Sequence, residues 1–179
     1  RQQTGVLVGG VVGTIMSNYG FEKSLGRYGI ELCRTRVGDR HVLEELRSRG
    51  WCLGGEPSGH IVCFDKTTTG DGVVAALQVL NAMVSTDKAL SLLTGDLDDY
   101  PQARVNVTLS LDRAGLSSVV SGVRVQQMVS EVESLLGADG RVVVRCSGTE
   151  PVVRVMVEGS DAELVTRYCR QIAAAVADE

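Results

Sequence analysis

Two stretches of this chain gather side chains suited to holding an anion and a polyol. The first is Arg145-Cys146-Ser147-Gly148-Thr149-Glu150-Pro151, with Arg154 just beyond it. Apolar runs flank it at residues 141–145 and 152–158, and both read as strands: short, β-branched and bounded by turn residues. Paired as a hairpin, they set Arg145 and Arg154 nearly opposite each other. Between the arginines lie the Ser147 and Thr149 hydroxyls and Gly148, whose missing side chain lets backbone N–H groups approach a ligand. Two planar cations, two hydroxyls and open amides are what a phosphate dianion needs for tight, oriented binding. The same residues also fit a polar hairpin turn with its arginines in solvent.

The second stretch is Gly55-Glu56-Pro57-Ser58-Gly59-His60. It offers a carboxylate, a hydroxyl and an imidazole within five positions, with a glycine at either end of Glu56-Pro57-Ser58 to permit tight turning. A carboxylate and a hydroxyl suit vicinal sugar hydroxyls. An ordinary turn between two short strands is the other reading.

Composition narrows the class. The chain has 179 residues, 44% hydrophobic and 22% charged, enough for one large or two small domains. The net charge of -4, with no dense Lys/Arg block, gives a nucleic-acid role no electrostatic support. No apolar run approaches membrane-spanning length. The five cysteines, Cys33, Cys52, Cys63, Cys146 and Cys169, are odd in number and form no C-x-x-C pair. They point to reduced thiols in a cytoplasmic protein rather than a disulfide framework or zinc site. Two histidines, His41 and His60, are too few for a His-rich metal site. The chain starts at Arg1 with neither an initiator Met nor a signal-peptide pattern, and reads as a fragment or processed product.

The elements that must position the two stretches alternate at first. Strands are expected at 5–8, 11–16, 30–37, 52–53 and 61–64. Asn18 caps a helix with Phe21, Leu25 and Tyr28 on its buried stripe, and Asp39 caps another with Val42, Leu43 and Leu46 inward. Asp71 caps a third, with apolar positions Val73, Val74, Leu77, Leu80 and Val84. A short helical stretch spans about 88–93. This rhythm implies an α/β domain with a partly parallel sheet. After the acidic, Pro-closed segment 95–101 the pattern changes. A half-exposed strand at 103–109 precedes a helical stripe of Val125, Met128, Val129, Val132, Leu135 and Leu136, then the Arg-flanked hairpin. Last comes a helix opened by a Ser160-to-Glu163 capping box and buried through Val165, Tyr168, Cys169, Ile172 and Val176. That order gives a small α+β domain, an antiparallel sheet with helices on one face. The fold class is therefore α/β followed by α+β.

Arg-x-Ser-Gly-Thr-Glu-Pro-x-x-Arg, from Arg145 to Arg154, resembles the phosphate-binding loop of the α-D-phosphohexomutases. Gly-Glu-x-Ser-Gly-His at 55–60 resembles that family's sugar-binding loop. Val37-Gly-Asp-Arg40 resembles the stretch before it, and Asp65-Lys-Thr-Thr-Thr-Gly-Asp-Gly72 the connection after it. The motifs stand in the family's order and spacing and cover nearly the whole chain. Their wording is closest to the branch that acts on glucosamine phosphates.

The resemblance implies four domains around one cleft, supplying in turn a phosphoserine, an Asp-x-Asp-x-Asp-Arg magnesium loop, the sugar loop and the phosphate loop. Neither a Ser-His-Asn nor an Asp-x-Asp-x-Asp-Arg stretch occurs here; Asp96, Asp98 and Asp99 read as a solvated linker. The chain is thus expected to hold part of the third, sugar-binding α/β domain at 1–98 and the phosphate-binding α+β domain at 99–179. The implied reaction interconverts glucosamine 6-phosphate and glucosamine 1-phosphate through the phosphoserine and a glucose- or glucosamine-type bisphosphate. Magnesium is bound by a loop absent here, the missing N-terminal domains are the protein partner, and no residue of this chain is a metal ligand. Arg145, Ser147, Gly148, Thr149 and Arg154 would clamp the non-reacting phosphate. Glu56 and Ser58 would grip sugar hydroxyls. His60 would orient the sugar or assist proton transfer, or else only fix its loop. Asp39 and Arg40 would reach the cleft, unless Asp39 is only a helix cap. Alone, the chain is expected to be inactive.

Two departures stand out. Pro57 stiffens the sugar loop, and Cys146 fills a position often held by Lys or Pro, either as a thiol between Arg145 and the anion or as an inert, partly buried side chain. The alternatives are a fragment of the branch acting on mannose and glucose phosphates, a non-catalytic phosphosugar-binding module, and a fragment that binds nothing.

Overall fold

The computed structural model describes residues 5, 7–95, 97–148 and 150–179. The chain divides into two compact units, residues 1–99 and 100–179.

In the first unit β1 (Val11–Thr14) pairs in parallel with β2 (Leu32–Thr35) and with β3 (Leu53–Gly55). β4 (Ile61–Cys63) pairs antiparallel with β3, so the sheet order is β2-β1-β3-β4. Parallel neighbours need crossovers. Here they are α1 (Tyr19–Arg27), between β1 and β2, and α2 (Asp39–Arg49), between β2 and β3. α2 buries Val42 and Leu46 completely against Val12 and Val62. Gly54 makes that close approach possible, since a Cβ there would fall 2.7 Å from Val42 Cγ1 and 2.8 Å from the Val12 carbonyl oxygen.

Arg34, on β2, ties the turn after β1 in place. Its guanidinium donates to the carbonyls of Thr14, Ser17 and Asn18 and pairs with Glu22 at 2.9 Å. α3 (Gly72–Thr86) and the single-turn α4 (Leu90–Leu93) follow β4.

Several local expectations change here. No strand forms at Leu7–Val8, where the chain turns at Gly5 and Gly9; Val6 lies outside the described residues. Asn18 does cap α1, accepting the Gly20 N–H at 2.7 Å, but Tyr28 is exposed beyond its last turn. Asp39 is not a cap. Gly38 holds that position without a side-chain bond, and Asp39 is the first helical residue, where its charge complements the helix dipole. Asp71 caps α3 through the N–H groups of Val73 and Val74. Of the apolar positions of α3, Val73, Leu77, Leu80 and Val84 are exposed, and Ala75 is the buried residue.

The second unit is an antiparallel sheet in the order β5-β7-β6, formed by β5 (Gln102–Thr108), β6 (Gly140–Cys146) and β7 (Val152–Gly159). Alternation along β7 sends Val153, Val155 and Val157 into one core with α5 (Arg113–Val120), α6 (Val123–Leu136) and α7 (Ala162–Ala177). The helices therefore share one face. Arg104, Asn106, Arg145, Arg154 and Glu158 lie in the other side-chain set of the sheet, by the same alternation. Glu158 is fully buried and bonded to Arg141 and Gln102.

All five residues expected to bury α7 do so. Its cap, however, is Asp161 rather than Ser160; the Asp161 carboxylate accepts the N–H groups of Glu163 and Leu164. In α6, Val125 and Val132 are buried but Leu135 is exposed. α5 is a helix that periodicity did not reveal.

Candidate functional site

The sugar-type loop is the connection of the β3–β4 hairpin. Glu56 N–H donates to the His60 carbonyl at 2.8 Å, and Gly59 N–H donates to the Glu56 carbonyl at 3.1 Å. The second bond closes a four-residue turn with Pro57 next to its start, where a fixed φ is favourable. Pro57 thus stiffens the loop without displacing its polar groups.

The Glu56 side chain is only 8% exposed, and its Oε1 accepts the Gly38 N–H at 2.9 Å. Its Oε2 stands 3.9 Å from His60 Nδ1, which in turn lies 3.2 Å from Ser58 Oγ. Carboxylate, imidazole and hydroxyl are therefore gathered around one turn. His60 is 63% exposed and Ser58 is exposed, while Glu56 is held from beneath. A groove of about 480 Å³, lined on its apolar side by Val11, Phe21, Leu25 and Ile61, includes Glu56 and Pro57 in its wall.

Asp39 and Arg40 do not join this group. Arg40 is extended along α2 to Glu44 at 2.8 Å, and Asp39 Oδ1 accepts the Arg40 N–H at 2.7 Å. The link from their segment to the loop is Gly38 instead. Its φ of +126° belongs to a backbone region that suits glycine, and this conformation aims its N–H at Glu56. Sequence reasoning did not single out Gly38, although it stands in the Val37-Gly-Asp-Arg40 segment.

The phosphate-type loop joins β6 to β7. The register sets Arg145 directly opposite Arg154 and Cys146 opposite Val153. Ser147 N–H donates to the Val152 carbonyl at 2.9 Å, and Val152 N–H to the Glu150 carbonyl at 2.8 Å. Ser147 is buried, and its Oγ accepts the Glu150 N–H at 3.3 Å. Gly148 is exposed with open space where a Cβ would stand. Thr149 lies outside the described residues.

Arg154 Nη2 donates to Glu150 Oε2 at 2.7 Å, while its Nε is shielded from solvent and has no hydrogen-bond partner among the described residues. Burial, and secondarily the Arg154 charge, pull the Arg145 guanidinium below its ordinary value. Two cations placed this way favour any anion that approaches both. Cys146 shares its strand face with Val142 and Val144, which pack on the helix-side core, and its Sγ lies 3.9 Å from Ser117 Oγ on α5. The thiol is thus turned away from the face carrying Arg145.

Among the described residues no three His, Cys, Asp or Glu side chains gather as a metal-ligand set. No helix among them is long and apolar enough to cross a membrane.

Comparison with known proteins agrees with the residue pattern. The chain is 49% identical over 182 residues to phosphoglucosamine mutase of Thiobacillus denitrificans, a match covering 98% of this chain and 38% of that protein. It is 52% identical over 172 residues to phosphoglucosamine mutase of Legionella pneumophila, covering 96% and 37%. The chain therefore spans well under half the length of these relatives. Two solved structures of Aspergillus fumigatus N-acetylphosphoglucosamine mutase share the fold. One has a TM-score of 0.80 at 18% identity, covering 96% of this chain and 39% of that chain. The other, in complex with GlcNAc-6P and magnesium, has a TM-score of 0.76 at 19% identity, covering 95% and 42%. The family model for the phosphoglucomutase/phosphomannomutase alpha/beta/alpha domain III matches residues 1–100, and that for the C-terminal domain matches residues 105–175. The chain belongs to the phosphoglucomutase/phosphomannomutase family and carries its third and C-terminal domains.

Proposed function

We propose that this chain supplies the sugar-gripping and phosphate-gripping loops of a mutase that interconverts glucosamine 6-phosphate and glucosamine 1-phosphate in the cytoplasm. The observation that carries this reading is the cross-strand pair Arg145 and Arg154 at the mouth of the β6–β7 hairpin. The names of relatives near 50% identity favour the glucosamine branch over those acting on glucose or mannose phosphates.

Each group has a role set by its chemistry. Arg145 and Arg154 neutralise and orient the phosphate that does not react, with the exposed Gly148 amide and the Thr149 hydroxyl as further donors. Buried Ser147 holds the loop's shape through Glu150 N–H and contributes to the clamp from beneath. Glu56 and Ser58 take the sugar hydroxyls. His60 orients the ring or relays a proton, coupled to Ser58 through Nδ1. Phosphoryl transfer, through a phosphoserine and a bisphosphate, is assigned to parts of the longer protein outside this chain. Magnesium supplies charge neutralisation there.

The chain alone is then a weak binder without turnover. Charge-assisted hydrogen bonds contribute roughly 1.5–3 kcal/mol each. Ordering the loops offsets part of that gain, so affinity falls on the order of millimolar. The test is titration of wild type, Arg145→Ala and Glu56→Ala with glucosamine 6-phosphate, glucosamine and inorganic phosphate, followed by chemical shifts. An isomerisation assay with magnesium and a bisphosphate primer accompanies it. Arg145→Ala should lose sugar phosphate much more than free sugar, and Glu56→Ala should lose sugar phosphate while keeping free phosphate. Turnover by the 179-residue chain would overturn the division of labour, and identical titrations of wild type and Arg145→Ala would overturn the phosphate loop.

A further inference from the structure

We propose that Glu150 is a built-in competitor for phosphate: its carboxylate holds Arg154 until an anion that reaches both Arg145 and Arg154 displaces it, which lowers the affinity of the empty loop for anions. The proposal rests on the reading of residues 145–154 as a phosphate loop.

Its basis is the way Glu150 is mounted. The backbone of Glu150 is fixed at both ends, its N–H to Ser147 Oγ at 3.3 Å and its carbonyl to the Val152 N–H at 2.8 Å. The side chain is the part that swings. It is 57% exposed, its partner Arg154 is 39% exposed, and they meet through Nη2 and Oε2 at 2.7 Å. Arg154 Nε, on the same edge of the guanidinium, has no acceptor among the described residues. Glu150 therefore uses half of a fork that a phosphate, with several oxygens on one tetrahedral centre, uses in full. Arg145, directly opposite, adds a second cation that a dianion satisfies and a single carboxylate does not.

Competition follows from tethering. A carboxylate four residues from Arg154 is present at high effective concentration whatever is in solution. An incoming carboxylate or phosphodiester brings one charge and replaces one charge. A phosphate monoester brings close to two at neutral pH and reaches both arginines. Glu150 also repels the incoming anion, so its carboxylate lowers affinity for every anion: displacement costs each of them the same factor, and the repulsion is greater for a dianion than for a monoanion.

The test uses the 179-residue chain as wild type, Glu150→Gln, Glu150→Ala and Arg145→Ala, titrated with inorganic phosphate and, separately, dimethyl phosphate, a monoanionic diester. Glu150→Gln and Glu150→Ala should bind phosphate roughly two- to fivefold more tightly than wild type, the range open to a half-exposed ion pair. The gain for dimethyl phosphate should be equal or smaller, because the displacement cost is common to both anions and the repulsion grows with charge. In wild type, phosphate should move the Arg154 Nε–Hε resonance and the Glu150 carboxyl carbon together. This readout stands if a variant does not fold. Weaker phosphate binding by both Glu150 variants would make Glu150 a positioning residue for Arg154 and overturn the proposal. So would unchanged binding, or a Glu150 carboxyl carbon that stays still while Arg154 moves. If Arg145→Ala also titrates like wild type, the phosphate-loop reading falls with it; if Arg145→Ala loses affinity, only the competitor fails.

Discussion

The backbone N–H of Gly38 is bonded to the carboxylate of Glu56 across 18 positions of sequence, at 2.9 Å. A loop residue on one hairpin is thereby held by the start of a helix two elements earlier. Glu56→Gln keeps a carbonyl acceptor for that N–H, whereas Glu56→Ala leaves it without one. Gly38 is half-buried, so leaving its N–H without that acceptor costs at most about 1–3 kcal/mol, the range for a fully buried donor. Urea unfolding of the first unit should therefore show Glu56→Ala destabilised by up to that amount and Glu56→Gln by less. Equal loss in both would mean that charge, and not the acceptor, is what Gly38 needs.

Cys146 lies on the helix side of β6, near Ser117, while Arg145 points to the other side of the sheet. Alkylation of Cys146 should therefore proceed at the same rate with and without a large excess of glucosamine 6-phosphate. Protection by the sugar phosphate would show that the thiol reaches the anion.

α7 was legible down to its buried residues because one strong 3.6-residue stripe faces one core. The arginine hairpin was legible for a similar reason: two β-branched runs around a short turn leave few registers, and Arg145↔Arg154 is the observed one. α5 was not, because Arg113-Ala-Gly-Leu-Ser-Ser-Val-Val buries only Leu116 and Val119, too few to set a period. Its one local signal was Asp112, whose carboxylate accepts the Gly115 N–H at 2.8 Å. α3 shows the opposite case, an apolar stripe that stays exposed, since periodicity reports a face and not what covers it. The Gly38–Glu56 bond depends on β3 lying beside β1, a tertiary relationship that no local window contains.

Burial pushes the Cys169 thiol above its ordinary value of 9.0, outweighing the hydrogen bonds to it. The folded chain therefore keeps this proton at a pH where the unfolded chain has released it. The associated stability is fully present below the unfolded value and is lost as pH rises through the folded one. Above pH 9, wild type should lose stability more steeply than Cys169→Ala, by up to about 1.4 kcal/mol per pH unit. Parallel pH profiles for the two proteins would remove Cys169 from the titration.

The two units differ in how their apolar residues are used, and stability measurements should expose the difference. Val155 sits at 1% exposure among α7, β5 and β6, and removing two of its carbons empties space that close-packed neighbours cannot fill. Val155→Ala should cost about 2–3 kcal/mol, from lost transfer free energy plus the cavity. Leu77 and Leu80 of α3 are more than half exposed, so Leu77→Gln should change stability by no more than about 0.5 kcal/mol. Amide exchange should follow the same division. The amides of β7 and α7 should exchange only on opening of the core they share, while those of α3, with only Ala75 buried, should exchange through local opening. Val155→Ala should accordingly speed exchange in β7 and α7 together and leave α3 as it was. Protection of α3 equal to that of β7, at a dilution where the chain is monomeric, would show that its apolar stripe is covered within the chain.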